Sequence, residues 1–321
     1  MVARSDQCDR FAIVYGGALN GESYVPRTGA VVVFYNPDAA CVERVNRLVA
    51  TIHCVVVDNT PSVREASELG LSTAVEYLAN GENVGIATAI NQGVESLIRA
   101  RFDIAILFDQ DSEPPASLLT ELPIVIARAN QAGDKVALVG PAYDDSRLRG
   151  VAPFIRFKWG YLERIVPAGR QPIDVDFLIT SGSCINLRWW SSIGPMDDAL
   201  FIDFVDLEWC VRAKGEGFKL LGIPWVTMPH ELGGEPVRLL GRPYPMHSPL
   251  RHYYLFRNAV TLIGRSYIPW AWKVTELIKL PVRLLIYSLL PSGRMTHLSM
   301  AARGLLDGLR GRLGKFPQAG E

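Results

Sequence analysis

The sequence predicts an α/β fold in which helices flank a mainly parallel sheet, followed by a helical, basic extension. Short apolar runs alternate with helix-like segments through residues 29–145, which is the pattern of strand–helix–strand units. Polar residues follow these runs, where the carboxyl ends of parallel strands would meet at one edge of the sheet. The segment 261–321 then combines apolar and basic residues.

Five apolar runs that end in turn-forming residues predict the strands of the first half. They are GAVVVFYNP (29–37), HCVVVDNTPS (53–62), VEYLAN (75–80), DIAILFDQD (103–111) and KVALVGPAYDD (135–145). Apolar residues at helical spacing predict helices over 41–50, 85–100 and 117–133, and Pro123 is expected to break the first turn of the last. Right-handed crossovers between such strands give a parallel sheet.

The second half is predicted to contain fewer regular units. A strand–turn–strand is expected over 174–190, a helix within 201–217, and a strand with a histidine-bearing loop over 218–234. No linker-like stretch separates the halves, so they are expected to share one domain. Residues 1–28 show weak periodicity and are interpreted as a leader with one short strand.

The charge, the cysteines and the apolar runs of the chain limit the classes of function that it could have. Lys+Arg and Asp+Glu both number 33 in the 321 residues, so the net charge does not indicate a nucleic-acid partner. From Arg265 to Glu321, nine basic residues stand against three acidic ones, which predicts an anionic partner surface at this end. The five cysteines form no CxxC pair, which is typical of reduced, buried thiols in a cytoplasmic protein. Without a signal peptide or an apolar run of roughly 18–20 residues, the chain is expected to work in the cytosol or at a membrane surface.

Asp109 and Asp111 follow a buried strand and form the strongest candidate site. Residues i and i+2 of an extended backbone point the same way, so both carboxylates could face one cation. Mg²⁺ and Mn²⁺ prefer such oxygen ligands and complete their shells with water and substrate phosphates. The alternative is a pair of solvated acids at a strand end, one of them capping the next helix.

Other polar groups recur at predicted strand and helix ends. Asp58 could accept the imide N–H of a pyrimidine, or it could form an ordinary Asx-turn. The turn NGENVG (80–85) could present backbone N–H groups to an anion, or could simply connect a strand to a helix. Asp203, Asp206 and Glu208 precede or begin a helix among aromatic residues, where a carboxylate could act as a general base or merely favour the helix dipole.

Cationic side chains provide further candidates. His230 lies on a predicted loop and could bind a metal or a phosphate, or bond to backbone. Arg251 and Arg257 of RHYYLFRN (251–258) lie within two predicted helical turns and could hold a diphosphate, since guanidinium groups suit its oxygens. The alternative is a solvated amphipathic face.

The C-terminal extension suggests a membrane surface. The segment 268–290 is rich in Trp, Leu and Ile and is interrupted by basic residues, and 305–316 carries Leu305, Leu309, Leu313 and Phe316 on one stripe. Amphipathic basic helices of this kind lie on anionic membranes. The alternatives are packing against the rest of the protein or a homo-oligomer interface.

These residues resemble a known family. The chain is similar to the family 2 glycosyltransferases of the GT-A (Rossmann-like) fold, and within them to the bacterial rhamnosyltransferases. The motifs that carry the resemblance are VVVFYNP, VVVDNTPS, ENVGIATAINQG, ILFDQDSEP, TSGSCINL, FIDFVDLEWCVRAKGEG, MPHELG and RHYYLFRN. These motifs run across residues 31–258, so the resemblance implies a GT-A domain (29–260). The leader (1–28) and the amphipathic basic helical extension (261–321) lie outside the match. Within the domain, 29–145 would be the nucleotide-binding half and 146–260 the acceptor half.

The resemblance also implies an activity and a set of partners. The reaction would be an inverting transfer that depends on Mg²⁺ or Mn²⁺, with dTDP-β-L-rhamnose as the expected donor. The acceptor would be a hydroxyl of a growing cell-surface glycan or of a lipid-linked saccharide. The expected location is the cytoplasm, peripherally on the inner face of the plasma membrane.

Site residues are implied position by position. Asp58 corresponds to the base-binding acid, and the nucleotide would run along Tyr35, Asn36, Asn83, Gly85, Asn91, Asp109 and Gln110. Asp109 and Asp111 correspond to the metal motif, with Asp111 expected as the more direct ligand and His230 as a further one. His230 and Arg257 would help to hold the diphosphate.

Asp206 corresponds to the general base. Many relatives have Glu where this chain has Val205, so either Asp203 or Glu208 would have to supply the missing carboxylate.

Two rival functions predict different properties. A haloacid-dehalogenase-like phosphatase also places DxD after a strand, but it would favour an early DxDxT, and here three strands precede the motif and Ser-Glu-Pro follows it. A non-catalytic, membrane-attached assembly protein would show no nucleotide-dependent stabilisation. The acids at successive strand ends argue against that reading.

Overall fold

The computed structural model describes residues 25–145, 150–229, 236–239, 242–245, 247–289 and 293–317. His230 and most of the predicted leader lie outside the described residues. Among the residues that are described, Cys41, Cys54, Cys184 and Cys210 are free and buried.

A nine-stranded sheet forms the centre of the fold, in the order β3-β2-β1-β4-β10-β5-β11-β9 with β6 paired to β5. Its strands are β1 (Thr28–Phe34), β2 (His53–Asp58), β3 (Glu76–Ala79), β4 (Ile104–Asp109), β5 (Val136–Asp145), β6 (Gly150–Val151), β9 (Ile173–Val175), β10 (Cys184–Asn186) and β11 (Lys219–Pro229). Two hairpins lie apart: β7 (Phe154–Lys158) with β8 (Tyr161–Ile165), and β12 (Pro236–Leu239) with β13 (Arg242–Pro245).

The sheet is mainly parallel, as the sequence predicts. The β1–β2, β1–β4, β2–β3 and β5–β11 pairs are parallel. The short β10 comes from the second half and inserts antiparallel between β4 and β5. Strands of both halves therefore belong to one sheet, and Asp58 and Asp109 end strands on either side of β1, at the carboxyl edge of the sheet.

Helices cover both faces of the sheet. They are α1 (Ala39–Val49), α2 (Ala66–Leu69), α3 (Ile86–Arg99), α4 (Ala116–Gln131), α5 (Trp190–Ile193), α6 (Val205–Gly215), α7 (Pro249–Gly264), α8 (Trp270–Leu289) and α9 (Arg294–Leu309). One core cluster includes residues of α3 and α6, and a second includes residues of α1 and α4. The expectation that Pro123 breaks its helix is wrong, since α4 runs through the buried Pro123.

The C-terminal helices pack directly on the sheet domain. A Cβ on Gly304 would collide with the Tyr253 carbonyl oxygen, and one on Gly308 would lie 2.6 Å from that of Arg257. The backbones of α9 and α7 therefore touch. The expected domain boundary at residue 260 falls inside α7. None of the helices in the described ranges is long and apolar enough to cross a membrane.

Candidate active site

The Asp109–Asp111 turn lies at the carboxyl end of β4. Asp109 is partly buried and Asp111 is exposed. The Asp109 amide donates to Ser112 Oγ (3.1 Å), and Ser112 Oγ lies 2.8 Å from Ser181 Oγ. Tyr143 OH donates to the Ser181 carbonyl (2.8 Å). These hydrogen bonds connect the turn 109–112 to the turn 180–183 of the second half, and they fix the position of the Asp109–Asp111 turn.

Asp206 lies in the first turn of α6, and its Oδ1 accepts a hydrogen bond from the Leu207 amide (2.8 Å). Burial, together with the negative charges of Asp203 and Asp109, raises the pKa of Asp206 to about 6. Because the charge of Asp109 raises the pKa of Asp206, the predicted metal motif and the predicted base are near enough to interact electrostatically. A carboxylate with such a pKa is mostly ionised at neutral pH and is suited to accept a proton.

Asp203 and Glu208 have different partners. Asp203 Oδ1 accepts from Nε and Nη2 of Arg251 (both 3.1 Å), while no described residue donates to its buried Oδ2. Glu208 is only 2% exposed, pairs with Arg212 through both oxygens (2.8 and 2.9 Å) and accepts from Tyr267 OH (2.8 Å). The charge of Asp203 raises the pKa of Asp206, whereas Glu208 belongs to a buried ion pair.

Asp58 ends β2 in a closed network. Its carboxylate accepts from the Thr60 amide (2.9 Å), the Thr60 hydroxyl (2.5 Å) and Tyr77 OH (2.7 Å), and Arg64 Nη2 lies at 3.4 Å. The Asx-turn foreseen as the alternative is thus present. The carboxylate is almost fully buried, so a nucleobase would reach it only if the turn after β2 moved.

Tyr35, Asn36 and Gln110 lie together beside the acidic turn. The Tyr35 side chain is exposed, and its amide donates to Gln110 Oε1 (2.8 Å). Asn36 has a φ of 48°, and its amide donates to Thr60 Oγ1 (2.8 Å). The end of β1 is therefore connected to the turns that follow β2 and β4.

The loop 80–85 contacts the segment that precedes Asp206. Asn83 Oδ1 accepts from the Gly85 amide (3.0 Å), and the Ile86 amide donates to the Phe201 carbonyl (2.7 Å). Gly85 has a φ of 88°, and a Cβ there would lie 2.7 Å from the Phe201 carbonyl oxygen. Only glycine fits this approach, so the loop is held against the segment 199–204, which carries the chain into α6.

Two further predicted residues have structural partners. Asn91 is buried and exchanges two hydrogen bonds with the Met196 backbone (2.9 Å each). Arg257 is fully buried and donates to the carbonyls of Ala199, Leu200 and Gly314. Both side chains are enclosed and bond within the protein in this arrangement, so their contact with the nucleotide stays a prediction.

Sequence reasoning did not foresee the residues that support the site. Ser112, Ser181 and Tyr143 link its two turns, and Asn258 bonds the backbone of the segment 199–204. The position of Asn258, directly after an arginine on a helix face, gave no sign of this role. Ser112 and Ser181 lie within the motifs ILFDQDSEP and TSGSCINL, so these motifs contained a usable signal.

A divalent cation at the Asp109–Asp111 turn would need oxygen donors from the protein. In the described part of the chain, no three His, Cys, Asp or Glu side chains converge as a metal site. Asp109 and Asp111 nevertheless offer two hard oxygen donors, one of them exposed. Mg²⁺ and Mn²⁺ typically use one or two carboxylates together with water and substrate phosphates, so the residues present fit such an ion.

Comparisons with known proteins agree with this arrangement. The fold is that of the GT-A glycosyltransferases: a crystal structure of GalNAc-T7 with UDP, GalNAc and Mn²⁺ superposes with a TM-score of 0.53 at 16% identity. The match covers 90% of this chain and 57% of the length of that chain. In sequence, this chain is 29% identical over 292 residues to the dTDP-rhamnosyl transferase RfbF of Shigella flexneri, covering 89% of this chain and 96% of the relative. No protein-family model matches the chain. The two similarities support a glycosyltransferase.

Proposed function

We propose that this protein is an inverting, metal-dependent glycosyltransferase that moves a deoxysugar to a hydroxyl group. The proposed donor is dTDP-β-L-rhamnose, and the proposed acceptor is a growing cell-surface glycan or a lipid-linked saccharide. One arrangement carries the proposal: the Asp109–Asp111 turn ends a central strand and bonds through Ser112 to the turn 180–183, and the Asp206 carboxylate lies near enough for the charge of Asp109 to raise its pKa. The dTDP-rhamnosyl transferase relative supports the choice of donor.

The nucleotide would lie along the carboxyl edge of β1, β2 and β4. Tyr35 and Asn36 lie there beside Gln110, and the loop with Asn83 and Gly85 flanks the same edge. Asp58 would accept the imide N–H of the base after the turn at Thr60 moves, because its oxygens otherwise bond within the protein.

Asp109 and Asp111 would hold Mg²⁺ or Mn²⁺ with the donor diphosphate. When bound, such an ion offsets the negative charge that develops on a departing nucleoside diphosphate. The support is the donor set itself, together with the Mn²⁺ that accompanies UDP in the GalNAc-T7 structure.

Asp206 would remove the proton from the acceptor hydroxyl. The acceptor oxygen forms a bond to the anomeric carbon from the face opposite the diphosphate, and the bond from that carbon to the diphosphate oxygen breaks. The proton stays on Asp206, and the nucleoside diphosphate leaves with the bonding pair. A single displacement of this kind inverts the anomeric centre. The turn 180–183 would line the acceptor side, next to Ser112.

Thermal stabilisation by dTDP and by UDP, each with and without Mn²⁺, tests the donor site. We expect stabilisation by dTDP that requires the metal and is lost in Asp111→Asn. Glu216→Gln, which alters an exposed acid at the other end of α6, serves as the control and should behave as the wild type. Stabilisation that ignores the metal would contradict the assignment of Asp109 and Asp111. The absence of any nucleotide effect would favour a non-catalytic assembly protein.

The exposed face of α8 supports peripheral membrane contact. Five apolar residues on this helix are 49–65% exposed: Trp270, Leu277, Ile278, Val282 and Leu285. The helix carries three basic residues, and its one acid, Glu276, is buried against Lys279 and Arg283. An apolar face edged by cations fits an anionic lipid surface. We propose that this face places the protein on the inner side of the plasma membrane, with the active site in the cytoplasm.

The sequence also assigned membrane contact to 305–316, but much of that segment is occupied. Phe316 packs on Tyr253 with ring centroids 4.6 Å apart, and Leu305 packs against a core cluster. Sedimentation with phosphatidylglycerol vesicles separates the two surfaces. We expect the Leu277→Ser, Ile278→Ser double variant to lose binding, and the Leu306→Ser, Leu309→Ser control on exposed α9 positions to retain it. The reverse result, or a concentration-dependent dimer abolished by the first variant, would contradict membrane contact through α8.

A further inference from the structure

The segment that leads into α6 has an unusual backbone. Phe201, Asp203 and Phe204 have φ values of 66°, 66° and 63°. Residues with a Cβ rarely adopt this left-handed conformation, and aromatic residues gain nothing there from local side-chain bonding. Three such residues within four positions persist only where surrounding contacts hold them. Asp206 follows two residues later, so its position depends on what holds this segment.

Asn258 of α7 bonds three successive parts of this segment. Its Nδ2 donates to the carbonyls of Leu200 (2.9 Å), Ile202 (2.7 Å) and Asp203 (3.0 Å). Asn258 is fully buried, and Arg257 Nε donates to its Oδ1 (2.9 Å), which fixes the orientation of the amide.

Arg257 holds the beginning of the same segment. Its Nη2 donates to the Leu200 carbonyl (2.8 Å) and to the Ala199 carbonyl (3.3 Å). The guanidinium also stacks over the rings of Tyr253 and Tyr254, at 5.6 and 4.8 Å from their centroids. Arg257 and Asn258 together contact the carbonyls of residues 199, 200, 202 and 203, and we name this pair the clamp.

The C-terminal segment joins the clamp to the donor side. The Gly314 amide donates to the Ala199 carbonyl (2.7 Å), and the Gly314 carbonyl accepts from Arg257 Nη1. The next residue, Lys315, forms an ion pair with Glu82 of the loop 80–85 (2.8 Å). Residues 314–316 thus connect the segment before Asp206 to the loop proposed to flank the nucleotide.

We infer that Asn258 and Arg257 are positioning residues for Asp206 and that the segment 314–316 completes this support from the C-terminal end of the chain. The inference rests on the proposed function, because it takes Asp206 as the general base. Within the segment 199–203 the clamp bonds only to backbone carbonyls, so it acts through the placement of α6 and does not touch substrate. The C-terminal extension then has a second role, besides any contact with a membrane.

Asn258→Leu tests this inference, because leucine keeps the size of asparagine and removes its four hydrogen bonds, the three to the segment and the one from Arg257. The matched control is Asn186→Leu. Asn186 is equally buried and donates to the Val136 carbonyl (2.8 Å) and Asn130 Oδ1 (2.9 Å), but it pairs with Ile104 at the opposite end of β4 from Asp109. Both variants should lose thermal stability, so turnover is measured well below both melting temperatures.

The expected result separates kcat from KM. Asn258→Leu should lower kcat for donor turnover by about 10²-fold, since a displaced base costs on that order, with the donor KM within about twofold. Asn186→Leu should leave kcat near the wild-type value. Asn258→Ser, which retains one hydroxyl donor, should fall between wild type and Asn258→Leu, and it replaces the leucine variant if that variant is insoluble.

Hydrogen exchange of the peptide 199–206 provides a readout that needs no activity. It should quicken in Asn258→Leu and remain unchanged in Asn186→Leu. A wild-type kcat in folded Asn258→Leu, an equal loss in Asn186→Leu, or unchanged exchange over 199–206 would overturn the inference. A wild-type enzyme without turnover would instead refute the proposed function, while the exchange data would still report whether the clamp holds the segment.

Discussion

Replacing Asp206 by asparagine should make the protein more stable while removing its transfer activity. Burial and the charges of Asp203 and Asp109 raise the Asp206 pKa from its ordinary value of 3.8 to about 6. A carboxyl group that binds its proton more tightly in the folded state lowers the free energy of unfolding at every pH at which it is ionised. At pH 8 the difference between the two pKa values lowers the free energy of unfolding by at most about 3 kcal/mol, because each pKa unit corresponds to about 1.4 kcal/mol. Solvent screening on the partly exposed side lowers that figure.

The sign and pH window follow from the same two values. Below pH 3.8 the group is protonated in both states and the penalty is absent. The penalty grows as the pH rises, reaches about half of its full size near pH 5, and is complete above about pH 6. Asp206→Asn never ionises, so its advantage over the wild type should follow this curve.

Urea unfolding of wild type and Asp206→Asn at pH 5 and pH 8 measures the difference. We expect Asp206→Asn to be more stable by about 1–3 kcal/mol at pH 8 and by about half as much at pH 5, with Glu216→Gln unchanged at both. Transfer by Asp206→Asn should fall by about 10²–10⁴-fold, the usual contribution of a general base. A variant no more stable than the wild type at pH 8, or equally more stable at both pH values, would refute the burial argument.

Three further predictions concern the same framework. In the wild type, kcat should fall about tenfold between pH 7 and pH 5 as Asp206 is protonated, and a flat pH profile of donor turnover would exclude Asp206 as the base. Arg212→Met removes the guanidinium that bonds both oxygens of buried Glu208, leaves only Arg265 Nη1 at 3.9 Å, and should lower the free energy of unfolding by about 3–5 kcal/mol; a loss below about 1 kcal/mol in urea unfolding would show that the pair is unimportant. Gly308→Ala places a methyl group 2.6 Å from a backbone carbonyl of α7 and should lower the melting temperature by several degrees, whereas Gly264→Ala, which meets nothing within 4 Å, should not; equal melting temperatures in calorimetry would contradict the close helix contact.

Much of the sheet could be predicted because its signals are local. The apolar runs of β1, β2 and β4 are bounded by turn residues, and each carries its polar residue directly after the buried positions. The placement of β10 could not be predicted in this way. It has three residues, and its antiparallel position between β4 and β5 depends on contacts with distant parts of the chain.

The candidate site also contains residues that local sequence signals predict and residues that only the tertiary structure can assign. Asp109 and Asp206 could be proposed from their places at a strand end and a helix start, but Arg257 could not be assigned, because a guanidinium suits a diphosphate and buried carbonyls equally. Only tertiary packing shows that Arg257 is enclosed. The choice between Asp203 and Glu208 was left open by the sequence. Residues two apart on a helix do not face each other, and the structure places the Glu208 carboxylate in an ion pair with Arg212.

The most direct test of the central claim is release of dTDP from dTDP-β-L-rhamnose, with water as the acceptor, in Mn²⁺ and in EDTA. We predict that the wild type releases dTDP only with the metal, and that the sugar first appears as the inverted anomer by NMR. Asp206→Asn and Asp109→Asn should release none above background. No release by the wild type, release that persists in EDTA, or wild-type release by Asp206→Asn would contradict a metal-dependent inverting transfer at this site.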